Sequence, residues 1–300
     1  MSVFFVFIDG VGVGEKSEFN PLSDQNLKSF SYFTEGDGLH SGIQPSIKSD
    51  KLYLPIDANL DIEGLPQSGT GQASLFSGEN ASKIAGKHFG PFPYSKTKFL
   101  LKEKSLFHKA QIEGFKPHFL NAYPDIFFEK SKKRNRWTCT TLMTKSAGIK
   151  LNGLESLLDN KSLTAEIIQD AWRNSLNLDV PKITPEDAAE RALSSLLEYD
   201  LVLYEYYLTD KAGHEMDSEK ASKVLGVLDR FLVEIIENLK EGDTLVISSD
   251  HGNIEDLSTK THTRNPVPLF VMGDTYAFKK AASILDVTPA IVETLKRGRK

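Results

Sequence analysis

Apolar runs and amphipathic stretches alternate along most of the chain and predict its secondary structure. Short runs rich in β-branched and aromatic residues predict strands at 3–8, 116–122, 201–207, 243–248 and 267–272. Helical periodicity and helix-start residues predict helices at 105–114, 184–197, 218–239 and 287–295. The alternation predicts an α/β fold in which a mainly parallel sheet lies between layers of helices.

Residues 125–181 depart from this alternation, because they are polar, rich in Asn and weakly periodic. We therefore predict one core formed by residues 1–124 and 182–300, with 125–181 as an insertion or small cap. Residues 81–150 carry 15 Lys and Arg against 4 Asp and Glu, although the chain has a formal net charge of −5. This local surplus of positive charge is typical of a solvated surface, or of a basic rim around a site that attracts an anion.

Composition narrows the class of protein. A 40% hydrophobic and 26% charged chain is typical of a soluble globular protein. No apolar run approaches the roughly 20 residues that span a bilayer, and Asp9 interrupts the first apolar run, which argues against a secretion signal. A single cysteine, Cys139, excludes an internal disulfide framework. We expect a cytoplasmic protein with neither a membrane nor a nucleic-acid partner, because no nucleic-acid fold pattern accompanies the basic cluster at 130–136.

Three aspartates directly follow predicted strands: Asp9, Asp210 and Asp250. In an open α/β sheet, the carboxyl ends of the strands border the ligand crevice. Three carboxylates there would repel one another unless a cation lay between them.

Three histidines accompany the aspartates. His214 lies four residues after Asp210, on one face of a helical turn, and His262 lies in a loop before the last predicted strand. His251 is adjacent to Asp250, so the two side chains could bind one metal only if the backbone bends between them. Any one of these residues alone would usually be a cap or a surface residue. Together they indicate a metal-dependent enzyme that acts on a phosphate or similar oxyanion ester.

Ser68 is the candidate nucleophile, in the glycine-rich segment Gln67-Ser68-Gly69-Thr70-Gly71. A helix is predicted to start after this turn, and a helix N-terminus favours an anion. Thr70 is the rival nucleophile. In the alternative interpretation, both hydroxyl groups only cap the helix.

The motifs resemble the alkaline phosphatase superfamily, in the branch of cofactor-independent phosphoglycerate mutases and phosphopentomutases. The resemblance covers about 1–78 and 201–295. The most specific motifs are Asp210-x-x-Gly213-His214, Ser249-Asp250-His251-Gly252-Asn253 and His262-Thr-x-Asn-Pro-Val-Pro268. The distance from Ser68 to the pair Ser77-Gly78 also matches the family, which favours Ser68 over Thr70.

The resemblance implies two divalent metal ions on either side of Ser68, whose hydroxyl would also be a metal ligand. Oxygen and nitrogen ligands without thiolate suit Mn²⁺ or Zn²⁺. Asp210, His214 and His262 would hold one ion. Asp9, Asp250 and His251 would hold the other. Attack by Ser68 would give a phosphoserine intermediate on a small phosphorylated substrate.

The sequence departs from the mutases at the nucleophile turn and in the insertion. Gln67 stands where the family has Asn, and Gly71-Gln72 stands where it has Gly-His. The large substrate-orienting domain of the mutases is missing or much reduced. We therefore favour a phosphoester hydrolase or phosphotransferase, with a phosphomutase as the alternative and a non-catalytic polyanion binder as the alternative of another class.

Four residues are candidates for substrate binding. Lys211 and Arg264 flank metal ligands, and an arginine can hold phosphate or carboxylate with two parallel hydrogen bonds. Lys87 and His88 lie in the segment Gly86-Lys87-His88-Phe89-Gly90-Pro91. For these two, a surface loop is an equally good interpretation.

Overall fold

One sheet organises the molecule, which is described by a computed structural model over residues 1–24, 27–36 and 38–299. The strands found in these ranges are β1 (Val3–Ile8), β2 (Ser46–Ile47), β3 (Lys51–Ile56), β4 (Pro117–Phe119), β5 (Leu201–Tyr206), β6 (Thr244–Ser248) and β7 (Val267–Met272). Their order in the sheet is β2-β3-β7-β6-β1-β5-β4.

The sheet is mainly parallel, as predicted. β1 pairs in parallel with β5 and β6, and β4 pairs in parallel with β5. β7 is antiparallel to both β6 and β3, and β2 is antiparallel to β3. The sequence did not predict β2 or β3. β3 contains Pro55, which lies opposite Pro268 of β7, and a proline inside an apolar run obscures a strand because it cannot donate to the ladder.

Helices cover both faces of the sheet. They are α1 (Pro21–Asp24), α2 (Lys28–Thr34), α3 (Ser68–Ser77), α4 (Ala81–Ala85), α5 (Lys98–Glu103), α6 (Leu106–Ile112), α7 (Asp125–Arg134), α8 (Cys139–Ser146), α9 (Leu154–Leu158), α10 (Asp170–Asn174), α11 (Pro185–Ser195), α12 (Leu208–Glu215), α13 (Ser218–Asn238) and α14 (Val287–Arg297). In the described ranges, no helix combines the length and the apolar character needed to cross a membrane.

The core has two layers because β1 is buried on both faces. Val3, Phe5 and Phe7 belong to a cluster that also contains residues of α3 and α14. The residues between them belong to a second cluster, which contains the apolar face of α13. A strand covered on both faces carries a continuous apolar run rather than an alternating one, which is the pattern read in the sequence.

Residues 125–181 contain the short helices α7 to α10. Single bridges from Asn121 to Leu163 and from Ala122 to Asn152 attach this segment to the chain beyond β4. Trp172 of α10 packs in a small separate cluster with Ala122. The division into a core and a cap stays a prediction.

Candidate metal centre

The three aspartates lie at the ends of neighbouring strands, because β6, β1 and β5 are adjacent and parallel. Asp9 directly follows β1, and Asp250 lies two residues beyond β6. Asp210 lies in α12, which follows β5. Gly10 has a φ of +70°, and a Cβ there would lie 2.7 Å from Oδ1 of Asp210. The glycine after Asp9 therefore lets the segment that follows β1 approach Asp210 of α12 closely.

Asp9, Asp250 and His251 form the first candidate ligand group. Nε2 of His251 lies 3.3 Å from Oδ1 of Asp9 and 3.5 Å from Oδ2 of Asp250. Oδ1 of Asp9 and both carboxylate oxygens of Asp250 are buried and have no hydrogen-bond partner among the described residues. Buried carboxylate oxygens are normally paired, so these atoms fit a bound cation.

Asp210, His214 and His262 were predicted as the second ligand group, and their side chains lie near one another. Nε2 of His262 lies 3.4 Å from Oδ1 of Asp210, and Nε2 of His214 lies 3.4 Å from Oδ2. The Nδ1 atoms of His262 and His214 lie 2.7 Å from the carbonyl oxygens of Pro66 and Lys260. Because a carbonyl only accepts, each Nδ1–H donates, and each Nε2 faces Asp210 as the atom that could bind a metal once it is deprotonated.

His251 connects the two groups. Its ring stacks on the ring of His262 with centroids 3.8 Å apart. Potential ligand atoms of Asp210, His251 and His262 also lie within 4.8 Å of one another. The structure therefore brings the six predicted Asp and His ligands close together, and His251 lies near Asp9, Asp250 and Asp210.

The pKa values of several side chains in this centre are shifted far from their ordinary values. Burial, followed by the nearby charge of Asp250, raises the pKa of Asp9 well above its ordinary value. Burial and the charge of Asp210 raise the pKa of Asp250 to about 7, and burial and the charge of His262 lower the pKa of His251 to about 3. Burial alone would raise the pKa of Asp210, but the hydrogen bond from His262 holds it below its ordinary value. A cation between the carboxylates would remove their mutual repulsion.

Ser68 is the first residue of α3, and its Oγ lies 3.0 Å from Nε2 of His251. α3 begins earlier than predicted, so the glycines belong to the helix rather than to a turn. A Cβ on Gly69 would lie 2.2 Å from the carbonyl oxygen of Phe92, so this glycine permits close packing of the loop that contains Phe92. Thr70 is fully buried, and its Oγ1 accepts a hydrogen bond from the amide of Phe89 at 3.0 Å.

A family model described as the metalloenzyme superfamily matches residues 1–297. The chain belongs to the metalloenzyme superfamily. Its expected character as a metal-dependent enzyme is confirmed at this level.

The chain is also similar to two proteins named as 2,3-bisphosphoglycerate-independent phosphoglycerate mutases. It is 31% identical over 124 aligned residues to that of Desulforudis audaxviator (strain MP104C), and the match covers 38% of the chain and 24% of the relative. It is 27% identical over 153 aligned residues to that of Ehrlichia canis (strain Jake), and the match covers 44% of the chain and 30% of the relative. The match therefore spans less than a third of the length of these relatives.

Two solved structures share the fold over almost their whole length. The PH0037 protein from Pyrococcus horikoshii is 14% identical with a TM-score of 0.59, and covers 99% of this chain and 97% of its own. The alkaline phosphatase from the Antarctic bacterium TAB5 is 13% identical with a TM-score of 0.60, and covers 98% of each chain. The predicted alkaline phosphatase-like α/β fold is thereby confirmed.

In this superfamily member, two cavities open beside Ser68. The smaller, about 360 Å³, is lined by residues that include His214 and His262. The larger, about 540 Å³, is lined by residues that include Asp9, Asp210 and Lys211. The described lining of these cavities does not include the other three residues predicted to bind substrate.

Those three residues are Arg264, Lys87 and His88. Nδ1 of His88 lies 3.2 Å from Oγ of Ser82, and its Nε2 lies 3.2 Å from the carbonyl oxygen of Ile62. Nζ of Lys87 lies 5.6 Å from the ring centroid of Phe89. These contacts are typical of a packed loop, which is the alternative stated for Lys87 and His88.

Three polar residues that sequence reasoning did not assign to the site lie around it, and two of them contact its ligands. Nδ2 of Asn253 donates to Oδ1 of Asp210 at 2.7 Å, and Nε2 of Gln72 donates to Oδ2 of Asp9 at 3.2 Å. Glu255 is buried and holds the loops between the ligands. Asn253 and Glu255 lie two and four residues after His251, and this proximity in the sequence was the available signal.

Replacing Gly213 with alanine is expected to weaken the centre. A Cβ at this position would lie 2.5 Å from Oδ1 of Asn253, so Asn253 would be displaced from Asp210. We expect the free energy of unfolding to fall by about 1–3 kcal/mol and metal affinity to fall about tenfold. Urea unfolding and metal titration measure the two effects.

Gly226→Ala is the matched control. Gly226 lies inside α13, and a Cβ there would meet no atom within 4 Å. This variant should retain metal affinity and gain up to about 1 kcal/mol of stability, because alanine favours a helix. Equal metal affinity in the two variants would contradict the role assigned to Gly213.

Proposed function

We propose that the chain is a metal-dependent phosphoester hydrolase or phosphotransferase that acts through a phosphoserine at Ser68. The observation that carries this proposal is the position of Ser68 Oγ, 3.0 Å from Nε2 of His251, at the N-terminus of a ten-residue helix. The hydroxyl lies beside both ligand groups and opens to the cavities. The surroundings of Thr70 support Ser68 as the nucleophile, because the Thr70 hydroxyl is buried and accepts a hydrogen bond from a loop amide.

The chemistry follows from the residues around Ser68. Oγ of Ser68 forms a bond to phosphorus as the bond from phosphorus to the ester oxygen breaks. The serine proton passes to solvent, and the departing alcohol takes a proton from solvent. Attack of water then breaks the bond between phosphorus and Oγ and releases inorganic phosphate. The N-terminus of α3 favours the anionic phosphoryl group, and Lys211 lies in the cavity wall where it can hold a phosphate oxygen.

Two divalent ions suit the donor set. Asp9, Asp250 and His251 would hold one, and Asp210, His214 and His262 would hold the other. Oxygen and nitrogen ligands without thiolate fit Mn²⁺ or Zn²⁺. When bound, such ions lower the pKa of the serine hydroxyl and neutralise the phosphoryl oxygens.

A phosphomutase is the second candidate, and the mutase names of the relatives favour it. A mutase would return the phosphoryl group from Ser68 to a second hydroxyl of the same substrate instead of to water. It must then keep its dephosphorylated intermediate away from water. The small size of the segment 125–181 argues for hydrolysis.

Metal removal tests the proposal. We expect chelation followed by desalting to abolish phosphate release from a simple phosphate ester, and Mn²⁺ or Zn²⁺ to restore it. A parallel incubation with 3-phosphoglycerate distinguishes the two candidates, because a mutase yields 2-phosphoglycerate and a hydrolase yields inorganic phosphate.

Elemental analysis of the chelated protein is the control. Full turnover in protein shown to be metal-free would refute the metal-dependent reaction. Salt-sensitive binding of polyanions without turnover in any metal-loaded sample would instead favour a non-catalytic binder.

A further inference from the structure

The larger cavity beside Ser68 is polar at one end and aromatic over most of its wall. Its floor contains Ser68, Asp9 and Asp210, where the proposed reaction takes place. The rest of the lining combines a few polar residues with aromatic and other apolar side chains from four separate segments. They are Phe92, Tyr123, Pro124, Phe127, Trp172, Leu176 and Tyr207.

The aromatic wall is a built surface. The rings of Tyr123 and Phe127 stack with centroids 4.2 Å apart, and Phe127 meets Trp137 edge to face at 6.2 Å. Trp172 is only 6% exposed and packs with Ala122 in the small cluster of the cap segment. These packed rings hold one another in place, so the wall is present before a ligand enters.

Part of this wall still faces the open cavity. Tyr207 is 44% exposed. It lies three residues before Asp210 in the sequence, and both residues line the cavity. Phe127 is partly exposed, although its helix α7 packs on the chain beyond β4. An exposed aromatic surface inside a cavity of about 540 Å³ is typical of a small-molecule site with a flat apolar ligand.

The charged residues that line the cavity also favour an apolar ligand. Among its described lining residues, Lys211 is the one cation, whereas Asp9, Glu205 and Asp210 are acidic. Other cations of the region, Lys98, Arg134 and Arg136, line a different pocket of about 290 Å³. Arg136 contacts the ring of Phe92, with Cζ 4.5 Å from the ring centroid, but it is not among the residues that line this cavity. Away from Lys211, an anion would therefore meet mainly apolar side chains, which is unfavourable.

We propose that the alcohol part of the substrate carries a flat aromatic ring, which lies against Tyr123, Phe127 and Tyr207 while the phosphate lies at Ser68. The proposal rests on the proposed function, and it specifies the class of phosphate ester. A small phosphorylated acid such as phosphoglycerate fits less well, because its carboxylate would face the aromatic wall.

A set of phosphate esters of primary alcohols tests this assignment. The set comprises 2-phenylethyl phosphate, ethyl phosphate, adenosine 5′-monophosphate and 3-phosphoglycerate, with kcat and KM measured on the metal-loaded protein. The phenylethyl and ethyl esters have leaving groups of the same kind, so intrinsic reactivity does not favour either. We expect kcat/KM for at least one aromatic ester to exceed that for ethyl phosphate by about tenfold or more, mainly through KM.

Variants of the wall show whether these rings cause the preference. Phe127→Ala and Tyr207→Ala should each bring the ratio of kcat/KM for the aromatic and ethyl esters towards one. Ile126→Ala is the matched control, because Ile126 lies on the same helix, is 45% exposed and does not line the cavity. This control should retain the ratio.

The outcomes separate the two proposals. Preference for either the phenylethyl ester or the nucleoside 5′-phosphate supports the aromatic site, and the better of the two shows how far the ring lies from the ester oxygen. Equal use of ethyl phosphate or 3-phosphoglycerate, or an unchanged ratio in both wall variants, would overturn it and leave the proposed function standing. Failure to turn over every ester with metal bound would refute the proposed function itself.

Discussion

Ser68→Ala is expected to lower kcat for phosphate-ester turnover by at least about 10⁴-fold, because the variant has no hydroxyl to form the covalent intermediate. The fold should be retained, since the hydroxyl makes its hydrogen bond only at the site, with His251. Acid-quenched protein should gain the mass of one phosphoryl group in the unaltered chain and none in Ser68→Ala. Metal affinity, measured by titration, shows that the ligands remain in place.

Thr70→Val is the control for the rival nucleophile. It removes the other hydroxyl of the segment and leaves the amide of Phe89 without its acceptor, at a cost of about 1–3 kcal/mol in stability. The phosphorylated form should still accumulate on Ser68. Turnover by Ser68→Ala at the full rate, or a phosphoryl group on Thr70, would show that the nucleophile is wrongly assigned.

The parallel part of the sheet and the convergence of the six Asp and His residues could be predicted, because each rests on a local signal. A strand buried on both faces is a continuous apolar run, and an aspartate at its end is visible in the sequence. Parallel neighbours then bring such ends together, which places Asp9, Asp210 and Asp250 at one edge. Strand β3 was missed because Pro55 interrupts its pattern and because one of its partners, β7, is more than 200 residues away.

The substrate cavity is beyond local prediction for a different reason. Its aromatic wall takes Phe92, Tyr123, Phe127, Trp172 and Tyr207 from segments with different secondary structure. No spacing in the sequence connects them, because tertiary packing alone brings them together. The position of His251 near both ligand groups is also beyond local prediction, because it depends on the backbone after β6 and on the stacking of the His251 ring on His262.

Glu255→Ala is expected to have the largest effect on stability, because this buried carboxylate joins three ligand-bearing loops. Its Oε2 accepts from the amides of Gly12 at 2.8 Å and Asn253 at 2.7 Å. Its Oε1 accepts from the hydroxyl of Thr263 and from Nδ2 of Asn265 at 3.1 Å. These partners follow Asp9, His251 and His262 along the chain, so one side chain positions ligands of both groups.

The alanine variant would leave several buried donors without an acceptor. We expect the free energy of unfolding to fall by about 3 kcal/mol or more and metal affinity to fall about 10- to 100-fold. Glu255→Gln should recover part of both losses, because its amide oxygen can still accept from the two backbone amides. Urea unfolding in chelator measures the structural loss, and metal titration measures the loss of affinity.

Glu186→Ala is the matched control for removing a carboxylate. Glu186 accepts from Arg230 at 2.8 and 2.7 Å, but the pair lies at the surface, where such pairs contribute about 0–1 kcal/mol. This variant should lose little stability and bind metal as the unaltered chain does. If Glu255→Ala behaved like Glu186→Ala in both measurements, the loops would hold their ligands without Glu255. We expect metal affinity and stability to fall in the order unaltered chain, Glu255→Gln, Glu255→Ala if the carboxylate positions the metal ligands. A role in packing alone would leave Glu255→Gln indistinguishable from the unaltered chain.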